Sequence, residues 1–234
     1  ELIGEISNWS ITILNDNREI IVDINGFLPR IPASNQKLLT TAFAIDKLGP
    51  NYNLSTELYS LGESSYEIQG KGNPDLTKAD IYNILDSLIN HNYKYNSNSN
   101  NINIILYDVD IDNWWPSSWS YEDRYEIYGA PITKLAVSSN SNIIPTIKNE
   151  YELQDIIYKY LLNYGYKANI TILPEVKSNY NQPPKVQIYI HKSAPMKALL
   201  SLANSESHNF TAEVLLRESA QNWTLNQASY QLKN

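Results

Sequence analysis

The chain has 234 residues, of which 42% are hydrophobic and 18% charged, so it is long enough for one or two globular domains with a buried core. It has no Cys, which excludes disulfide scaffolds and cysteine nucleophiles, and no apolar run approaches the roughly 20 residues of a membrane span. The net charge of -7 argues against nucleic acid as a partner. Three scattered histidines predict no metal site, and we expect no cofactor.

The N-terminal part predicts a hairpin followed by a helix. Apolar and polar residues alternate over Trp9–Asn15 and Glu19–Ile24, with turn-forming residues between them, which predicts two antiparallel strands. The segment Ser34–Leu48 is rich in Ala, Leu, Ile and Thr and stops at Gly49-Pro50, which predicts a helix. Because its apolar residues surround most of the cylinder, we expect this helix to be buried on several sides.

Strands and helices alternate through the rest of the chain. Strands are predicted at Leu54–Leu61, Tyr66–Gln69, Ile102–Val109, Ala168–Leu173 and Val186–Ile190, and helices at Lys78–Asn90, Glu150–Tyr164, Met196–Ala203 and Phe210–Glu218. The string Asn179–Pro184 is typical of a linker. We expect three segments, residues 1–58, 59–185 and 186–234, of which the middle one is an insertion.

Two residues of complementary chemistry stand at the start of the predicted helix Ser34–Leu48. Ser34 and Lys37 are three residues apart, so on a helix their side chains project from the same face. A serine hydroxyl becomes a nucleophile when a base takes its proton, and a lysine that burial keeps neutral is such a base. The alternative is that Ser34 caps the helix and Lys37 extends into solvent.

A second polar group, Ser207-His208-Asn209, precedes the predicted helix Phe210–Glu218. Side chains two residues apart in an extended turn point the same way, so Ser207 and Asn209 can pass a proton and hold a substrate amide. The alternative is a helix cap in which Asn209 bonds the following turn. Neither group is specific by itself.

Taken together, these motifs resemble one enzyme family. The segment Pro32–Ala42, followed by Leu48-Gly49-Pro50, resembles the active-site helix of the penicillin-binding D-alanyl-D-alanine carboxypeptidases of low-molecular-mass class C, peptidase family S13. Further segments agree in order with the glycine-rich turn, the tryptophan segment with its Tyr-Gly-Ala-Pro signature and the helix leading to a Ser-Asp-Asn box: Gly70–Leu76, Trp114–Trp119, Tyr128–Ile132 and Ser193–Glu213. His208 stands where that box usually has Asp.

The resemblance implies a mixed α/β (α+β) fold of the penicillin-binding and serine β-lactamase-like DD-peptidase type, incomplete and with a smaller inserted α+β region. Residues 1–58 would then hold the active-site helix, 59–185 the insertion, and 186–234 the Ser-x-Asn box. It also implies a bacterial periplasmic or envelope protein, exported, whose partners are peptidoglycan peptides and β-lactams. The first residues, Glu1–Gly4, lack the pattern of an export signal, so we expect that any signal has been removed or never existed.

The implied activity is that of a serine D-Ala-D-Ala carboxypeptidase or endopeptidase that works through an acyl-serine intermediate. By the family's roles, Ser34 would attack the carbonyl of the penultimate D-alanine and Lys37 would accept its proton. Ser207 would relay a proton to the leaving D-alanine, and Asn209 would hold the substrate amide. Asp75, Trp115 and Tyr128 match the family at positions that we interpret as structural.

The family's third box, Lys-Thr-Gly, has no match, because it needs a glycine after Asn209 and the last glycine is Gly165. In the family, the strand that carries this box supplies one of the two backbone N–H donors to the oxyanion, and losing one such donor costs on the order of 10²–10³ in rate. We therefore expect the chain to be inactive alone unless a further C-terminal segment or a partner chain completes the sheet. Two alternatives stay open: a catalytically dead envelope-binding or scaffold protein of the same fold, and a related serine esterase or β-lactamase.

Overall fold

The computed structural model describes residues 5–95, 99–141, 149–174 and 184–233. It divides into two compact units, Glu1–Gln36 and Lys37–Asn234. The expectations for Glu1–Gly4 and for most of the linker-like string Asn179–Pro184 fall outside the described residues. Among the helices that are described, none is both long enough and apolar enough to cross a membrane.

The first unit is a hairpin with an irregular C-terminal segment. Strands β1 (Ile11–Leu14) and β2 (Ile20–Ile24) pair antiparallel, which confirms the predicted hairpin. The guanidinium of Arg30 donates a hydrogen bond of 3.1 Å to the carbonyl oxygen of Trp9, so the segment after the hairpin is fastened to the start of β1. A 3-10 turn, Ala33–Asn35, follows.

The second unit is built on a sheet and five predicted helices, and it contains a further helix that the sequence pattern did not indicate. Its elements in chain order are α1 (Gln36–Leu48, whose first residue closes the first unit), β3 (Ser55–Gly62), β4 (Ser65–Gly70), α2 (Lys78–Tyr95), β5 (Asn101–Asp108), α3 (Asn149–Asn163), β6 (Lys167–Pro174), β7 (Val186–Lys192), α4 (Met196–Asn204), α5 (Asn209–Ser219) and α6 (Leu225–Lys233). Helix α6 is the unpredicted one. Each strand and helix predicted for this unit is present.

The described strands of the second unit form one mixed sheet in the order β6-β5-β4-β3-β7. Strands β4, β5 and β6 pair in parallel, whereas β3 pairs antiparallel with both β4 and β7. Strand β3 begins before residue 59, and its partner β7 begins at Val186. The division of the chain at residues 59 and 185 stays a prediction.

The core of the sheet lies between its buried face and helices α2 and α3. Burial alternates along β5, as expected for a strand with one covered face, and α2 contributes side chains at helical spacing. The fully buried members include Leu58, Tyr66, Ile68, Ile81, Ile84, Leu85, Leu88, Ile102, Ile157 and Leu161. A second cluster joins α1, α4 and α5 through Ala44, Met196, Leu199, Phe210, Val214 and Leu215.

Helix α1 is buried on one face, and the prediction that it is buried on several sides is wrong for the described structure. Thr40, Thr41 and Ala44 are buried, whereas Leu38 and Leu39 are 59% and 64% exposed. Within the described residues, the covered face packs on α4 and α5 and, through the partly buried Phe43, on a small cluster that includes Ala228 of α6. The sequence of a helix shows which of its residues are apolar, but it does not indicate which neighbouring element covers them.

The glycine-rich turn after β4 needs glycine for steric reasons. A side chain at Gly70 would collide with the carbonyl oxygen of Lys134, and Gly72 has a φ of +72° and lies against the side chain of Val214. The backbone N–H of Gly72 donates to the carbonyl oxygen of Lys134 at 2.9 Å. The turn is therefore held tightly against the segment that follows the Tyr-Gly-Ala-Pro signature.

Candidate active site

Ser34, the predicted nucleophile, is exposed and lies in the 3-10 turn Ala33–Asn35 of the first unit. The preceding residue, Ala33, has a φ of +46°, in the left-handed region that residues with a side chain rarely adopt. Backbone of this kind is concentrated at functional sites. Lys37 belongs to the second unit, so its approach to Ser34 stays a prediction from their spacing in the sequence.

Lys37 and Ser207, which the sequence placed in two separate motifs, are in contact. The Nζ atom of Lys37, in the first turn of α1, lies 3.2 Å from the Oγ atom of Ser207, which is 170 positions away in the chain. Ser207 has a φ of +53°, so its side chain is presented from strained backbone just before α5. The fold thus joins an amine and a hydroxyl within hydrogen-bonding distance.

Burial shifts the protonation equilibrium of Lys37 toward the neutral amine. Partial burial removes water from the ammonium and lowers its pKa below the usual lysine value, and the carboxylate of Glu213 offsets part of this shift by raising the pKa. A lowered pKa increases the fraction of Lys37 that is a free amine near neutral pH. That form can accept a proton from a hydroxyl.

Asn209, the first residue of α5, is oriented by a turn distant in sequence. Its Nδ2 atom donates a hydrogen bond of 3.1 Å to the carbonyl oxygen of Tyr128, in the 3-10 turn Ile127–Gly129. The indole of Trp115 donates to the carbonyl oxygen of Gly129 at 2.8 Å, which fixes the same turn. Asn209 therefore bonds the Tyr-Gly-Ala-Pro segment, and the helix cap position belongs to His208.

His208, between the two predicted site residues, faces the protein and is partly buried. Its Nδ1 atom lies 2.7 Å from the hydroxyl of Thr211. Burial, together with the positive charge of Lys37, lowers the pKa of the imidazole below its usual value. The ring is therefore neutral at pH 7 and adds no positive charge to the site.

A charged pair on α5 was not predicted from the sequence. Glu213 and Arg217 are one turn apart, with 3.8 Å between Glu213 Oε2 and Arg217 Nε. The Arg217 side chain is 0% exposed, and its Nη1 atom donates to the carbonyl oxygen of Asn113 at 2.7 Å. The sequence does contain a signal for the pair, because two opposite charges four residues apart interrupt an apolar helix.

A cavity of 730 Å³ lies elsewhere in the second unit, and we do not place the active site there. Its walls include Tyr52, Lys71, Lys134, Glu218 and Trp223. The carboxylate of Glu218 accepts hydrogen bonds from the Tyr52 hydroxyl and the Trp223 indole. None of the predicted site residues lines this cavity, so the cavity is separate from the Lys37–Ser207 contact.

Comparison with known proteins identifies the family. The model of the D-Ala-D-Ala carboxypeptidase 3 (S13) family matches residues 2–158. The chain belongs to this peptidase family. The matched range contains Ser34 and Lys37 and ends before Ser207 and Asn209. A comparison with curated proteins gave no match.

Solved structures show that this S13 family member has the fold expected from the resemblance. One crystal structure of penicillin-binding protein 4 (dacB) from Haemophilus influenzae aligns with a TM-score of 0.68 at 18% identity, over 93% of this chain and 64% of that chain. Its complex with a novel β-lactam aligns with a TM-score of 0.65 at 20% identity, over 93% and 62%. The chain thus spans less than two thirds of the length of each of these two structures. The similarity confirms the mixed α/β DD-peptidase fold.

Proposed function

We propose that this S13 family member carries the nucleophile part of a serine D-Ala-D-Ala carboxypeptidase or endopeptidase that cleaves peptidoglycan peptides. The observation that carries the proposal is the distance of 3.2 Å between Lys37 Nζ and Ser207 Oγ. This contact brings together one residue from each of the two motifs. The lowered pKa of Lys37 supports its role as the base.

In the proposed reaction, the hydroxyl of Ser34 attacks the carbonyl carbon of the penultimate D-alanine, and its proton passes to the neutral amine of Lys37. The peptide bond then breaks, and the leaving amine takes a proton through the hydroxyl of Ser207. Water hydrolyses the resulting acyl-serine ester and restores Ser34. The amide of Asn209 holds the substrate peptide during both steps.

The same chemistry accounts for binding of β-lactams. Attack of Ser34 on the strained lactam carbonyl opens the ring and leaves an acyl ester on the serine. Because the amine of the opened ring stays attached to the acyl group, it does not diffuse away as D-alanine does. We therefore propose penicillin binding, and work on peptidoglycan in the bacterial periplasm or envelope, as properties of the whole protein.

The proposal includes a further segment or a second chain beside α1. Leu38 and Leu39 expose apolar side chains next to the proposed base. Such a surface is the kind that a neighbouring sheet covers. In this account, the covering element also brings the second oxyanion donor, so full activity requires it.

Release of D-alanine tests the proposal. The whole product of the gene is incubated with a peptide ending in D-Ala-D-Ala, alongside the variants Ser34→Ala and Lys37→Met. We expect release by the wild type and a loss of at least about 10³-fold in each variant. Ser7→Ala, at an exposed serine of the same unit that precedes the motifs, serves as the matched control.

Each alternative predicts a different result in the same assay series. A catalytically dead envelope-binding protein would release no D-alanine, would not be acylated by penicillin, and would still be retained by peptidoglycan. A serine esterase or β-lactamase would turn over a chromogenic cephalosporin rapidly and leave the peptide intact. Unchanged D-alanine release by Ser34→Ala would contradict the proposed nucleophile.

A further inference from the structure

The cavity of 730 Å³ in the second unit lies at the end of the sheet where three parallel strands stop. Gly70, Asp108 and Pro174, the last residues of β4, β5 and β6, all line it. Open sheets with parallel strands bind ligands in the crevice beyond the carboxyl ends of those strands. The volume is also within the usual range of about 300–1,000 Å³ for small-molecule sites. Both the position and the size of the cavity therefore fit a binding site.

The carboxylates that line the cavity accept hydrogen bonds from neighbouring groups of the protein. Asp108 accepts from three backbone N–H groups, and the exposed Asp110 accepts from one. Glu57 accepts from the hydroxyl of Ser55 and from an amide side chain of β7. Glu218 accepts from a tyrosine hydroxyl and from an indole. These carboxylates are therefore stabilised without a bound cation.

The two lysines of the cavity walls lie over aromatic rings. The Nζ atom of Lys71 is 5.6 Å from the centroid of the Tyr52 ring, and that of Lys134 is 5.1 Å from the centroid of the Trp223 ring. Both distances are within the roughly 6 Å at which an ammonium is attracted to the face of a ring. Because the carboxylates are bonded as well, the charges of the walls are compensated inside the protein. A ligand gains little here from a charge of its own, so the walls favour an uncharged ligand.

The rest of the wall supplies amide groups beside two aromatic rings. The amide side chains that line the cavity are those of Gln69, Asn113, Gln221, Asn222 and Gln227. An amide carries both donors and an acceptor, and the hydroxyl and acetamido groups of an amino sugar have the same mixed character. The rings of Trp223 and Tyr52 add apolar surface that the C–H groups of a sugar can contact. This combination matches an amino sugar more closely than it matches an ion or a hydrocarbon.

Trp223 is held in place before any ligand binds. Its indole N–H donates to Glu218 Oε1 at 2.7 Å. The ring also packs against the glycine-rich turn, because a Cβ atom added at Gly72 would lie 2.9 Å from it. A wall that is already ordered loses little conformational freedom on binding.

We propose that this cavity binds a short, uncharged saccharide whose sugars carry N-acetyl groups. The site is separate from the Lys37–Ser207 contact, so it holds the saccharide without taking part in peptide cleavage. The assignment of the natural ligand to the glycan of peptidoglycan rests on the proposed function. The binding itself can be measured in a chain that releases no D-alanine.

Titration calorimetry with chitotriose, a trimer of N-acetylglucosamine, tests the proposal on the full chain. Gln227 lines the cavity and is exposed, so Gln227→Trp adds a large ring to the cavity wall without changing the core. We expect this variant to bind chitotriose at least about tenfold more weakly than the wild type, because the ring and the sugar compete for the same space. Gln227→Ala removes one amide and should weaken binding roughly 2- to 10-fold.

The matched control is Asn226→Trp, at an exposed amide residue of the same helix, α6, that lies outside the walls of the cavity. Neighbouring positions of a helix point in different directions, so this variant should bind chitotriose as the wild type does. Ser34→Ala should also bind it normally. Thermal unfolding of each variant confirms that binding is measured on folded protein.

Several results would overturn the proposal. One is a wild type that gives neither heat nor a change in tryptophan fluorescence with chitotriose. Another is an affinity that Gln227→Trp leaves unchanged, or that Asn226→Trp lowers equally, since the sugar would then bind elsewhere or depend only on the packing of α6. Tighter binding of a charged peptide ending in D-Ala-D-Ala, lost in Gln227→Trp, would assign the cavity to the peptide instead. Failure of the proposed function would appear differently, as absent D-alanine release beside normal binding of chitotriose.

Discussion

Replacing Asp108 by Ala removes the acceptor that fastens β5 to the segment after the Tyr-Gly-Ala-Pro signature. Asp108 ends β5 and is 6% exposed. Its Oδ1 atom accepts from the backbone N–H groups of Val109 at 2.7 Å and Lys134 at 2.6 Å, and Oδ2 accepts from Leu135 at 3.3 Å. Two of these three donors are more than 20 residues away, so the carboxylate joins distant parts of the chain.

The expected loss of stability follows from the number of donors left without an acceptor. Each buried donor that loses its partner costs about 1–3 kcal/mol, so the two distant donors together give about 2–6 kcal/mol for Asp108→Ala. This is a large share of the roughly 5–15 kcal/mol that keeps a domain folded. Asp108→Asn keeps one acceptor oxygen, and we expect it to lose about half as much.

Urea unfolding followed by circular dichroism measures these differences by linear extrapolation. The control is Asp110→Ala, at an exposed carboxylate that accepts from the backbone N–H of Asp112 at 3.0 Å. We expect this variant to lose about 0.5–2 kcal/mol, the usual cost of removing such a cap. If Asp108→Ala were no less stable than Asp110→Ala, the role assigned to Asp108 would be refuted.

Three further predictions concern a turn, a helix and a titration. Gly72→Ala should lower the free energy of unfolding by at least about 1 kcal/mol more than Gly49→Ala. Both glycines have a positive φ, but of the two only Gly72 lies against other side chains. Equal losses in urea unfolding would contradict this prediction. In the 234-residue chain alone, Leu39→Gln, at a side chain 64% exposed, should change the free energy of unfolding by less than about 0.5 kcal/mol. Ala44→Leu, in the core, should cost about 1–3 kcal/mol; the reverse order would show that α1 is covered differently. Lys37 must be neutral to accept a proton, and burial lowers its pKa. Penicillin acylation of the whole protein should therefore rise with pH and reach half its maximum at a pH below about 10.4, the usual pKa of lysine. A midpoint at or above that value would argue against Lys37 as the base.

Local patterns were sufficient to predict most elements of the fold. The short apolar run in Ile102–Val109 and the helical spacing in Lys78–Asn90 each identified a real element, because both segments contribute buried side chains to the core. Helix α6 was missed, since its short apolar pattern follows α5 closely. The order of the strands could not be read from the sequence, because pairing of β3 with β7 joins residues more than 120 positions apart.

The exposed face of α1 marks the limit of such patterns. Leu38 and Leu39 are apolar and were expected to be buried, yet the periodicity of a single segment cannot identify the element that would cover them. A helix that is apolar on all sides indicates how much surface needs covering. It does not indicate which residues cover that surface.

The site could be predicted in part from its motifs. Lys37 and Ser207 were identified from two separate boxes, and their contact links residues that no local rule connects. Glu213 and Arg217 were missed because a charged residue in an amphipathic helix is usually solvated. Their burial depends on how α5 packs within the fold, which local sequence patterns do not specify.

The residue that penicillin acylates tests the central claim most directly. The whole gene product is treated with penicillin, digested, and analysed by mass spectrometry to locate the adduct. The account predicts a single penicilloyl ester on Ser34, absent from Ser34→Ala and slowed strongly by Lys37→Met. An adduct on any other residue, or one that persists in Ser34→Ala, would contradict it.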